Sequence, residues 1–239
     1  MTTKKNNTKM DKNKEKAQCM RMTMHTPSGL HVRETEGAEG QSRTITGYAI
    51  LFGTPSEPLW SDEESEAREV IAPGAVTRGL LDGSDIKMTM FHDRQLILAR
   101  SNKGEGTLSY DVDEKGVSFE FDAPRTADGD KALELVRRGD IAGCSFAFST
   151  YYWDAGFVAR EVEVRDGRSF ITYRVDHITG IYDFTLAADP AYPATSVEAR
   201  QLREGWREEQ AAPAEEEKRR EQVRRQIGEM RQAAATSIS

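Results

Sequence analysis

ADGDKALELVRRGDIAGCSFAFS (residues 127–149) joins the clearest helical pattern of the chain directly to its clearest strand. Ala132, Leu133, Leu135 and Val136 recur at helical spacing and give one apolar face. Asp128 or Asp130 is expected to cap the start, and Gly139 to end the helix. The residues that follow alternate instead. Cys144, Phe146 and Phe148 fall on one side of an extended segment, Ser145, Ala147 and Ser149 on the other. The Cys/Phe side reads as core, which leaves Ser145 facing away from it among small residues. A helix that feeds a half-apolar strand through a short turn points to a mixed α+β domain.

Working outward, strand signals dominate. ITGYAILF (45–52) and IKMTMFH (86–92) have strand composition. GTLSYDVDEKGVSFEFDA (106–123) and VAREVEVRDGRSFITYRV (158–175) read as hairpins, and GIYDFTLAA (180–188) as a further strand. IAPGAVTRGLLDG (71–83) suggests a short helix with Pro73 near its start and Gly83 after its end. The acidic run SDEESEARE (61–69) reads as a loop. The expected fold class is α+β and β-rich, a partly closed antiparallel β-barrel with flanking helices.

Three regions are expected: a basic, disordered leader (1–43), a central domain (44–197) and a charged helical tail (198–239). The leader carries 9 Lys/Arg against 5 Asp/Glu, the centre 15 against 26, and the tail 9 against 9. An acidic centre disfavours nucleic acid as a partner, because phosphate contacts need clustered cations. In the tail, Pro213 divides two helical segments, and Val223, Ile227 and Met230 form a narrow apolar stripe. No apolar run reaches membrane-spanning length, and the leader lacks the apolar stretch of a secretory signal, so the chain is expected to be soluble and intracellular. Its two cysteines, Cys19 and Cys144, cannot make a disulfide framework.

Ser145 carries the chemical question. A strand serine is usually inert, but with a base and an orienting carboxylate it becomes a nucleophile. Gly143 beside it lets a substrate backbone approach, and the amides of Cys144, Ser145 and Phe146 are oxyanion-hole candidates. Of the four histidines, His25 and His31 lie in the leader, whereas His92 closes a strand and is the candidate base. Asp183 is the odd residue among Tyr182, Phe184 and Leu186, and a carboxylate there needs a partner. Orienting an imidazole supplies one, although His177 and Asp176 compete for the third role and an exposed edge-strand aspartate is the plainer alternative. Ala147 stands where the hydrolase elbow requires glycine two positions after its nucleophile, which excludes that motif. No metal-ligand spacing and no phosphate-binding glycine loop is present, so no metal or cofactor is expected.

Five blocks in order resemble the prohead (head maturation) serine proteases of tailed bacteriophages: GYAILFG (47–53), IAPGAVTRGL (71–80), FHD (91–93), RRGDIAGCSFAF (137–148) and IYDFTLAADPAYPAT (181–195). They cover about residues 44–200. The resemblance implies an assemblin-like fold, the β-barrel ringed by helices of the herpesvirus proteases. It implies a serine endopeptidase packaged inside the immature prohead, in the host cytoplasm, where it removes scaffold segments from the major capsid protein. His92, Ser145 and Asp183 map onto the family's histidine, serine and acidic residue. Two departures stand out. Phe146 and Ala147 replace an expected small residue and glycine, and the strand of Asp183 continues as Phe-Thr-Leu where the family more often has a Val-Ser pair.

Two further readings compete with the protease. One is a non-enzymatic capsid assembly or scaffolding protein that binds coat subunits through residues 198–239. The other is a thiol hydrolase using Cys144. Autocleavage of the two arms and homo-oligomerisation stay open at this point.

Overall fold

The computed structural model describes residues 21–27, 29–33, 42–188, 199–213, 219 and 222. The chain divides into two units, Met1–Glu198 and Ala199–Ser239. In the second, residues 199–213 are helical. The stripe of Val223, Ile227 and Met230, and Cys19 in the leader, lie outside the described residues.

Among its described residues the first unit has fourteen strands and two helices. In chain order they are β1 (Arg21–Pro27), β2 (His31–Val32), β3 (Thr44–Leu51), β4 (Trp60–Ser61), β5 (Ser65–Ile71), α1 (Arg78–Gly83), β6 (Asp85–Met90), β7 (Asp93–Asn102) and β8 (Glu105–Gly106). Then follow β9 (Leu108–Val112), β10 (Gly116–Asp122), α2 (Ala127–Arg138), β11 (Gly143–Ser149), β12 (Val158–Arg165), β13 (Arg168–Val175) and β14 (Gly180–Ala187). The strands form three sheets, ordered β1-β11-β14-β6-β7-β8, β2-β3-β10-β9 and β12-β13-β5-β4. The β-rich α+β class therefore holds. Among the described residues no ladder closes a sheet on itself, so where the sequence suggested a partly closed barrel the strands form three open sheets.

The six-stranded sheet positions the site. Phe146, Phe184 and Met88 lie side by side in one row across β11, β14 and β6, all without accessible surface. One residue along, Ser145, Thr185 and Thr89 form the next row and point to the opposite face. The second face is polar but equally covered, because all seven residues of β11 are buried. Ser145, although it stands among small residues, is therefore fully covered.

Several local expectations change for physical reasons. The acidic stretch is a loop only at residues 62–64, since Ser65, Ala67, Glu69 and Ile71 alternate inward along β5 while the charges at 66 and 68 face outward. The charge density masked the period of two. Pro73 precedes α1 by several residues, and the cap is Thr77, whose Oγ1 accepts the Leu80 N–H at 3.2 Å. Gly83 is the last residue of that helix, not the first beyond it. Thr126, not Asp128 or Asp130, caps α2 by accepting the Gly129 N–H at 3.2 Å. The two aspartates occupy the first turn instead, where the positive end of the helix dipole favours them. Gly139 does end α2, at φ 77°, a left-handed conformation that glycine adopts without a Cβ clash. Within the leader, residues 21–27 and 31–32 are strands and not disordered.

Candidate active site

Phe91 and His92 are the two-residue connection of the β6–β7 hairpin, closed by the pairing of Met90 with Asp93. Both have positive φ, 56° and 57°, as a primed hairpin turn requires. Such turns normally use Asn and Gly. A bulky Phe in this region costs about 1–3 kcal/mol, and such strain persists only where the surroundings over-determine the conformation. Here three hydrogen bonds hold it. The Phe91 N–H donates to the Leu186 carbonyl at 3.1 Å, and the His92 N–H donates to Thr185 Oγ1 at 2.9 Å. Thr185 Oγ1 also accepts from Thr89 Oγ1 at 2.8 Å, so the threonine row of β6 and β14 anchors the turn.

The turn folds the imidazole back over the polar face. His92 Nε2 lies 3.0 Å from Ser145 Oγ, and Nδ1 lies 2.9 Å from Asp183 Oδ1. A carboxylate can only accept, which puts the proton on Nδ1 and leaves Nε2 to accept from the Ser145 hydroxyl. Asp183 is 6% exposed, in β14 between β11 and β6. It is therefore an interior carboxylate, and the alternative of an exposed edge-strand aspartate is excluded. Ala147 sits opposite it on β11, and its single methyl leaves the carboxylate open to the ring. The structure thus brings together His92 from the β6–β7 turn, Ser145 from β11 and Asp183 from β14, which are neighbours in space and distant in sequence.

The competing residues lie elsewhere. Asp176 pairs with Arg174 at 3.0 Å, and the His177 ring stands edge-on to Phe157 with centroids 5.8 Å apart. Cys144 points into the Phe core, where burial pushes its thiol far above the ordinary value and keeps it neutral. That speaks against the thiol hydrolase. The oxyanion-hole candidates Cys144, Ser145 and Phe146 lie within a ladder with partners on both sides, so their amides point alternately toward β1 and β14. Beside Asp183 a cleft of about 390 Å³ opens between β6 and β14, lined among others by Lys87, Arg94, Thr179 and Tyr182. Thr185 and Thr89 escaped the sequence reading. Their only signal was a pair of hydroxyl residues at matching positions in two otherwise apolar strands.

A family model of the caudovirus prohead serine proteases matches residues 28–208. The chain belongs to that family. The match includes His92, Ser145 and Asp183, so the family relationship and the geometry concern the same part of the molecule. Among solved structures, the bacteriophage T4 capsid assembly protease is similar over 70% of this chain and 96% of that one, at 8% identity and a TM-score of 0.33. That similarity is too distant to transfer a residue or a substrate. No curated protein matches the chain. As a prohead protease family member it is a protease of phage head assembly and maturation. Among its described residues no helix is long and apolar enough to cross a membrane.

Proposed function

We propose that the chain is a serine endopeptidase with Ser145 as nucleophile, His92 as general base and Asp183 as the orienting carboxylate. The observation that carries this reading is the unbroken hydrogen-bonded series from Ser145 Oγ through the His92 ring to Asp183 Oδ1, at 3.0 and 2.9 Å. Ser145 Oγ attacks the scissile carbonyl while His92 Nε2 takes its proton. The C–N bond then breaks, the same proton goes to the departing amine, and an acyl-enzyme remains. Water, deprotonated by Nε2, releases the acid and restores the serine. Asp183 stays ionised throughout and stabilises the imidazolium through the Nδ1–H bond. β11 amides near Ser145 receive the negative charge that develops on the carbonyl oxygen.

The substrates in this reading are the scaffold segments of the major capsid protein, cut inside the immature prohead in the host cytoplasm, and the chain's own polar arms. Family membership supports the setting. The location of β1 alongside the serine strand supports access of the leader to the site. Co-expression with the capsid protein, followed by intact-mass analysis, tests it. Ser145→Ala should abolish every fragment seen with the wild type, because loss of such a nucleophile lowers turnover by ~10⁶-fold in a well-characterised triad. Undiminished cleavage by the variant rules out Ser145. An uncleaved partner with both chains, with assembly lost only when residues 198–239 are removed, favours the scaffolding role instead.

A further inference from the structure

Ser145 has no accessible surface, yet a nucleophile must come within about 3–3.5 Å of a scissile carbonyl. Something has to move, and the sheet order limits what can. β11 has two neighbours. On one side is β14, an interior strand that carries Asp183. On the other is β1, which among the described residues is the edge strand and hydrogen-bonds to β11 and to no other strand. The pairing is antiparallel and runs from Arg21 opposite Ser149 to Pro27 opposite Gly143, with His25 opposite Ser145. A seven-residue extended piece of the leader therefore lies along the serine strand in the way a peptide ligand adds a strand to a sheet edge.

Its pairing occupies every second amide of β11. Those amides are the donors a substrate strand would need on that side, and the same set includes candidates for the oxyanion hole. β1 is also the strand of this sheet most readily exchanged beside Ser145. Removing it breaks one ladder, whereas removing β14 breaks two and takes Asp183 away. The strand ends at Pro27, and Gly29, two residues on, has φ 57°, a conformation that favours glycine and ends the extended course. β2 then starts at His31.

We propose that residues 21–27 are a displaceable occupant of the peptide-binding edge of β11. In place they keep Ser145 covered; during cleavage an extended segment of the substrate polypeptide replaces them, antiparallel to β11. This rests on the serine protease reading and adds its regulation: the leader competes in cis with substrate, so activity rises where local substrate concentration is high, as inside a packed shell.

The test compares the full chain, a chain lacking residues 1–28, and the full chain with Thr23→Pro or Met24→Pro. Adjacent residues in an antiparallel strand donate in opposite directions, so one of the two prolines removes a ladder N–H. Two readouts are taken: labelling of Ser145 by a fluorophosphonate, and hydrogen exchange of the amides of residues 143–149. Labelling is expected to rise at least tenfold on truncation and with one of the prolines. A synthetic peptide of residues 20–30 added in trans should reverse it, and exchange in β11 should follow the same pattern. Labelling within twofold in all chains, or β11 exchange unchanged by truncation and peptide, overturns the proposal. Exchange that responds as expected while Ser145 is labelled in no chain leaves the displaceable strand standing and removes the serine nucleophile. The full-length proline variants cover the case in which the truncated chain does not fold.

Discussion

Two buried carboxylates, Asp183 in β14 and Glu69 in β5, meet burial in opposite ways. Asp183 has a ring nitrogen 2.9 Å away that supplies a proton to one of its oxygens. Glu69 has no accessible surface; one oxygen is hydrogen-bonded by the Tyr152 hydroxyl and the other, Oε2, has no partner among the described residues. Desolvation alone raises its carboxyl to about 8. Burying a charge without a partner is so unfavourable that the group takes up a proton instead. The sheet around Ser145 thus keeps its carboxylate useful by matching it to a donor, while the β12-β13-β5-β4 sheet keeps its own neutral. The same residue class inside a strand is held by an imidazole in one case and is a pH-sensitive packing element in the other.

The contrast breaks most sharply at Asp183. Asp183→Asn keeps the shape and loses the charge, and the amide stabilises the wrong imidazole tautomer. The equivalent change in a well-studied triad lowers turnover by ~10⁴-fold, and a loss of that order is expected here in single-turnover cleavage. Glu69→Gln, by contrast, should leave turnover within twofold. Equal losses from the two changes would mean that Asp183 is only structural.

Glu69 sharpens the comparison through stability. Its folded value, about 8, lies above the ordinary 4.5. The native state therefore holds its proton where the unfolded chain has lost it. That contribution to stability is fully present below about pH 4.5 and is lost as pH rises toward about 8. The slope attributable to this group approaches about 1.4 kcal/mol per pH unit within that window. Urea unfolding at pH 5.5, 6.5 and 7.5 should show wild-type stability falling relative to Glu69→Gln, which cannot ionise. Parallel curves would show that Glu69 gains a partner as it ionises.

Thr185 connects the two themes, because it is a buried polar group whose partner is the backbone of His92, the proposed base. Thr185→Val leaves the His92 N–H unanswered, at a cost of about 1–3 kcal/mol. If that cost is expressed as misplacement of the ring, kcat falls about ten- to a hundredfold with KM little changed. Thr185→Ser, which keeps the oxygen, should restore most of it. Failure of serine to rescue would assign the loss to the missing methyl and to packing.

How much of this was legible in the sequence depends on whether a residue broke a local pattern. Asp183 and Ser145 did, one as a charge in an apolar strand and the other as a hydroxyl opposite a Phe-rich face. Helix α2 was legible because its apolar face and Gly139 agree. β5 was not, since outward charges at every second position resemble a loop when only composition is weighed. β1 was hidden for a related reason: RMTMHTP alternates over only five residues inside a polar leader and becomes a strand through pairing with β11, a tertiary effect. The two-residue turn at Phe91 and His92 was illegible because its sequence contradicts its conformation. Local propensity is overridden there by Thr185 and Leu186, which lie more than ninety residues away in sequence.

That override predicts the smallest effect. Phe91 is 47% exposed, so its ring contributes little burial, while its left-handed backbone carries strain. Phe91→Gly removes the Cβ responsible and adds freedom to the unfolded chain, two effects of opposite sign. Strain relief of about 1–3 kcal/mol exceeds the loss of about 0.5–1 kcal/mol from glycine's extra entropy, so a net gain of about 1 kcal/mol is expected in chemical denaturation. The gain should come without faster cleavage, since the position of His92 is held by Thr185 and by the two ring contacts, not by the residue before it. A stabilised variant with impaired cleavage would show that Phe91 itself helps to aim the imidazole, and that the strain at 91 is part of how the base is positioned.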